Sequence, residues 1–300
     1  LGLVPGGRAN PNHLITTNIE HESVAGPAAE LERSGWQVTR VPAGGDGVVD
    51  STAFQESGLD GAQLVSVIAA QNEIGTLQPV AEIGQLCKKH ETILHCDAAQ
   101  AAGKIPIDVE SFGIDLLSLS SHKLYGPKGV GALFVRRRDP RVILHPRQFG
   151  GGQERGLRPG TLNVPGIVAF GEACHLAGKV MAEEAARLGR LRDRFLAGLT
   201  HQLTGVHLNG CSRRRLPGNL NVSFEGVRAH TLMGKLTTLA LSSSSACSSA
   251  ESRPSAILRN LGLDDALASA SVRIGLGRFT TEEEVDFAVA KITQVVRQVR

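Results

Sequence analysis

The first half of the chain alternates between short apolar runs and stretches with helical spacing. HLITTNI (13–19) is apolar and β-branched, VAGPAAELERSG (24–35) has a helical period, and WQVTRVP (36–42) alternates as a strand does. AQLVSVIAA (62–70) is almost continuously apolar, the pattern of a strand buried on both faces. Helical spacing returns in VAEIGQLCKKH (80–90), followed by three further strand-like runs, TILHCDAA (92–99), IDLLSLSSH (114–122) and VGALFVRR (130–137). This order predicts an α/β domain over residues 1–170, a mostly parallel sheet with helices on both faces.

From Pro165 the pattern changes. Residues 166–203 read as one long helical stretch, followed by the strand NLNVSF (219–224) and a helix around HTLMGKLTTL (230–239). Near the end, Thr280 or Thr281 caps a helix whose glutamates at 282–284 favour the positive end of its dipole. Residues 171–300 are therefore expected to form a smaller α+β domain. Between them lies a run in which six of the eight residues from Ser242 to Ser249 are serine, with Cys247 inside it. Such composition reads as a linker, yet a thiol is an oxidisable choice for one.

Composition narrows the function classes. With 41% hydrophobic and 20% charged residues, the chain has the make-up of a soluble globular protein. A net charge of +3 and a single basic triplet, Arg213-Arg214-Arg215, give no footprint for nucleic acid. No apolar run approaches the ~18 residues needed to cross a bilayer. The five cysteines are spread apart without a CxxC pair, which argues against a disulfide framework or a zinc site and for a cytoplasmic location.

Parallel sheets place ligands at the carboxyl ends of their strands. The strand-like runs deliver His21, Asn72, Asp97 with Gln100, and Ser120 with His122 and Lys123 to those ends. That set suits pyridoxal 5'-phosphate, which needs a lysine for its Schiff base and an acid beside its pyridinium nitrogen. Lys123 and Asp97 supply those two groups. His21 is then placed to stack on the ring, Asn72 and Gln100 to bond its phenolic oxygen, and Ser120 and His122 to reach the phosphate.

HCDAAQAAGKIPIDV, SLSSHKLYGPKGVGALFV, GGGQERGLRPGTLNVPGIVAFGEA, SSSSACSSAESRPSAILRNLG and SVRIGLGRFTTEEEVD occur in this order. Together they resemble the cysteine desulfurases of the class-V aminotransferase superfamily, whose large domain is the fold-type-I pyridoxal-phosphate fold. The resemblance implies an enzyme that removes sulfur from L-cysteine to give L-alanine and an enzyme persulfide. That persulfide would feed iron–sulfur cluster or thiocofactor assembly through a scaffold or sulfur-relay protein. It makes Cys247 the nucleophile on a mobile loop and Lys123 the residue that moves protons. His21 joins them as a catalytic residue. Arg273 becomes the clamp for the substrate carboxylate, with Asn72 beside the substrate. Thr161 matches a residue that reaches the cofactor phosphate of a second subunit, which implies a homodimer.

The chain departs from the family pattern in three places. Ser244 stands where glycine is usual, and Pro159 where serine is frequent. The family's Gly-Ala-Thr phosphate loop, carried by a further N-terminal segment, does not occur in this sequence. Two other readings stay open at this point: a selenocysteine lyase, and a non-catalytic sulfur-scaffold homologue without a complete phosphate site.

Overall fold

The computed structural model describes residues 10–243 and 254–300. The chain divides into two units: Leu1–Pro42, Val49–Ala69 and Gln78–Val180 form one, and Ala43–Val48, Ala70–Leu77 and Met181–Arg300 the other.

In the first unit the order is β1 (Asn10–Thr17), α1 (Glu22–Arg33), β2 (Gln37–Val41), α2 (Ala53–Glu56), β3 (Ala62–Ile68), α3 (Val80–Lys89), β4 (Ile93–Asp97), β5 (Leu116–Ser120) and β6 (Gly131–Val135). The strands form one sheet in the order β2-β1-β3-β4-β5-β6. β1 to β5 are parallel, and β6 runs antiparallel to β5, with Ser120 opposite Gly131. All seven residues of β3 are buried, the polar Gln63 and Ser66 included, as its nearly continuous apolar pattern predicts for a central strand. α3 buries Val80, Ile83 and Cys87, and it comes very close to a neighbouring backbone. A Cβ on Gly84 would lie 1.8 Å from the Phe112 carbonyl oxygen, so only glycine fits there.

α4 (Val164–Gln202) is a single helix of 39 residues. Its first turns expose apolar side chains, including Val164, Ile167, Val168 and Leu176. Cys174, which helical spacing alone would place on the buried stripe, is exposed among them.

The second unit continues with β7 (Val206–Leu208), β8 (Asn219–Phe224), α5 (Ala229–Lys235), β9 (Ser242–Ser243), α6 (Ala256–Asn260), α7 (Asp265–Ser269), β10 (Ser271–Gly275) and α8 (Glu282–Val299). Its antiparallel sheet has the order β7-β8-β10-β9. The core packs Leu191, Phe195 and Leu199 of α4 with Val222 and Phe224 of β8 and Val285, Ile292 and Val296 of α8. Thr281 begins α8 with a full capping box: its side chain accepts from the Glu284 backbone, and the Glu284 carboxylate accepts from the Thr281 N–H. Among the described residues no helix is long and apolar enough to cross a membrane.

Candidate active site

In the first unit, four adjacent parallel strands end on one rim. β4 ends at Asp97, which lies opposite Ile68 at the end of β3 and Ser118 in β5. The Asp97 side chain is buried, and Oδ1 accepts the Ala99 N–H at 2.9 Å. Its Oδ2 makes no hydrogen bond among the described residues. Gln100, three residues on, accepts from the Lys104 ammonium at 3.2 Å.

β5 leads into a single 3-10 turn, Ser121–Lys123. The turn is pinned through one residue: Ser121 donates its N–H to Val130, and its carbonyl accepts from Leu124 and Gly126. A Cβ on Gly126 would come within 2.2 Å of Ser121 Oγ, so the glycine makes room for the packed hydroxyl. This fixes the backbone beneath Lys123, whose ammonium has no hydrogen-bond or ionic partner among the described residues. Ser120 Oγ and His122 Nδ1 lie 3.0 Å apart on the same turn.

His21 stands four residues beyond the end of β1, at the N-cap of α1. Its Nδ1 accepts the Ser23 N–H at 3.1 Å and lies 2.8 Å from the Ser23 hydroxyl, an arrangement that places the ring proton on Nε2. Thr161 is exposed, three residues before α4. The rim thus collects His21, Asp97, Gln100, Ser120, His122 and Lys123 on the ends of β1, β4 and β5 and the segments that follow them.

Asn72 and Arg273 belong to the second unit. Arg273 lies in β10, and its Nη1 donates to the Asn72 carbonyl at 2.9 Å. The neighbouring Glu73 is held from several sides. Its carbonyl accepts from Asn221 Nδ2 at 3.1 Å, and its Oε2 accepts from the Ser255 hydroxyl at 2.6 Å. Burial pushes the Glu73 carboxyl up to about 7, against the smaller opposing pull of Ser255 and Arg273. Cys247 and Ser244 lie outside the described residues.

Two groups, one at a strand end and one inside β4, escaped the sequence reading. Glu20 is buried at the exit of β1, and burial raises its carboxyl to about 8. His95 bridges Ser66 and Ser118, with Nδ1 and Nε2 each 2.8 Å from a hydroxyl, and desolvation holds its ring below the usual histidine range. The available signal was an ionisable residue inside an apolar, β-branched run: IEH for Glu20 and ILHCD for His95.

Chemically, the rim offers a buried acid with one uncommitted oxygen and an amine without a partner, on adjacent strands. A hydroxyl–imidazole pair sits beside the amine. This donor set fits a cofactor with a basic ring nitrogen, a carbonyl carbon and an anionic group.

The chain is 46% identical over 293 residues to a human protein named cysteine desulfurase, covering 98% of this chain and 64% of that protein. It is 48% identical over 288 residues to an Arabidopsis thaliana protein named mitochondrial cysteine desulfurase, covering 96% of this chain and 63% of that one. The chain therefore spans less than two thirds of the length of these relatives. Among solved structures, one described as a NifS-like protein superposes with a TM-score of 0.87 at 37% identity, covering 96% of this chain and 75% of that one. The family described as aminotransferase class-V matches residues 6–287, and with nearly the whole length matched the chain belongs to that family.

Proposed function

We propose that the protein is an L-cysteine desulfurase that uses pyridoxal 5'-phosphate, releases L-alanine and passes sulfur onward as a persulfide on Cys247. The observation that carries this reading is the pair Asp97 and Lys123, an uncommitted acid and an uncommitted amine on neighbouring strand ends. The similarity to proteins named cysteine desulfurase supports this reaction among those of the family.

When bound, the cofactor supplies an electron sink that lets the carbon–sulfur bond of the substrate break. Asp97 would hold the ring nitrogen protonated through its free oxygen. Lys123 would provide the covalent attachment and, once released, move a proton at its Nζ. Ser120 and His122 would donate to the phosphate, His21 would lie against the ring, and Gln100 and Asn72 would bond the ring oxygen. Arg273 would bind the substrate carboxylate through its guanidinium, one nitrogen of which the Asn72 carbonyl already orients. Cys247, as thiolate, would take the substrate sulfur in a new sulfur–sulfur bond.

The proposal extends to assembly and placement. The exposed apolar side chains of the first turns of α4, together with Phe149 at 86% exposure, would be covered by a second copy of the chain. Thr161 would then reach the partner's cofactor. The two units would serve as cofactor-binding domain and small domain respectively. The four described cysteines are free thiols, in keeping with the cytoplasm, and an iron–sulfur scaffold or relay protein is the expected sulfur acceptor.

The test is alanine release from L-cysteine by protein supplied with pyridoxal phosphate, alongside its visible absorbance band. Cys247→Ala should keep the band and abolish alanine release, and Lys123→Ala should lose both. Turnover retained by Cys247→Ala would remove the assigned nucleophile. A stronger preference for selenocysteine would move the reading to a selenocysteine lyase.

A further inference from the structure

Glu20 has an unusual set of contacts for an acid. Its residue is only 6% exposed, and Oε1 accepts both the Thr17 hydroxyl at 2.7 Å and the Ile68 N–H at 3.0 Å. Oε2 is buried and has no hydrogen-bond partner among the described residues. Among the described residues the ionisable side chain that acts on it is Asp97 of β4, which cannot supply positive charge. Burying a carboxylate with one bare oxygen and no cation is far costlier than burying the neutral acid.

The same contacts have a mechanical side. Thr17 closes β1 and Ile68 closes β3, so Glu20 joins the two strand exits. Ile68 in turn lies opposite Asp97 in the ladder. One residue further along, His21 caps α1. Glu20 therefore sits where a change in its carboxyl would be felt by both rim residues.

We propose that Glu20 is a positioning residue of the rim: as a neutral acid it fastens the exit of β1 to the exit of β3 and leaves Asp97 as the carboxylate that serves the cofactor's ring nitrogen. This rests on the cofactor reading above. Two acids in neighbouring sites take different roles when their surroundings differ, and here the bare oxygen of Glu20 is wholly shut off from solvent while that of Asp97 is not. Ionising Glu20 would place a second negative charge beside Asp97 and leave Oε2 without a donor.

Two titrations test this. In the holoenzyme, the visible band should change with a midpoint near pH 8, where Glu20 loses its proton. Glu20→Gln keeps an oxygen for Thr17 and Ile68 but has no proton to lose, so it should bind cofactor within about twofold of wild type and lack that alkaline transition. The second titration follows thermal unfolding of the full chain without added cofactor. A carboxyl raised in the folded state gives stability that is complete below its unfolded value and drains away as pH rises through the folded one. Wild type should therefore lose stability between about pH 5 and 8 relative to Glu20→Gln. An unchanged alkaline transition in Glu20→Gln, or equal pH slopes in the two chains, would overturn the proposal. If wild type shows no band at any pH, the cofactor reading fails, while the second titration still decides where the Glu20 proton resides.

Discussion

Asp97 stands opposite Ser118 in the ladder between β4 and β5, five residues before Lys123 along the second of these strands. The acid and the amine of the rim thus leave the sheet from adjacent strands, at a separation set by backbone pairing.

Asp97→Asn tests the acid with little change of shape. The amide oxygen can still accept from Ala99, but the charge is gone. Alanine formation should fall by about 10- to 100-fold, the scale of one lost charge-assisted hydrogen bond. Steady-state kinetics with saturating cofactor measures this, and an unaltered rate would remove Asp97 from the site.

Arg273→Lys tests the carboxylate clamp. Lysine keeps the charge but not the planar fork that also bonds the Asn72 carbonyl. KM for L-cysteine should rise by roughly 10- to 100-fold while kcat changes much less. A fall in kcat at constant KM would point to a role in the chemical step instead.

Glu73 gives a pH dependence of stability. Its folded value of about 7 lies above its ordinary 4.5, because burial penalises the charge. The contribution to stability is complete below pH 4.5 and is lost as pH rises through 7, an effect on the order of 3 kcal/mol. Urea unfolding at pH 4.5 and pH 8 should show Glu73→Gln gaining on wild type at the higher pH. The same difference at both values would show that Glu73 is not perturbed.

Gly84→Ala should destabilise the first unit by about 1–3 kcal/mol, since the new methyl meets a carbonyl oxygen and the backbone must shift. The same change at Gly189 of α4, where an added Cβ meets nothing within 4 Å, is the control and should not be destabilising. Parallel thermal melts of the two variants compare these effects.

The sequence was most informative where a local rule and a buried surface coincide. AQLVSVI is apolar apart from Gln63 and Ser66 because β3 has strands on both sides and packing above and below, and the structure buries every residue of it. The cap of α8 was legible to within one residue, Thr280 or Thr281, because a capping box needs only four consecutive residues, and the structure uses Thr281. The direction of β6 was not legible, since GALFV has the same pattern whichever way it runs. Nor does any local pattern link residues 70–77 with the second unit. That grouping depends on pairings far along the chain, such as the Leu77 N–H with the Arg214 carbonyl. Glu20 was passed over because a polar residue at a strand exit is ordinarily wet. Its burial follows from three-dimensional packing around Thr17 and Ile68.

The reversal of β6 bears on how Lys123 is held. Consecutive parallel strands need a crossover of about a dozen residues or more between them. β5 and β6 instead form a hairpin whose loop is Ser121–Val130, fastened at its base where Ser121 donates to Val130. The amine rides on the rising limb of that loop, two residues from the fastening, and shares no long lever with any helix. Its position is thereby set by the register of one strand pair, so a single residue inserted between Ser120 and Lys123 would turn the side chain away while leaving the rest of the sheet intact.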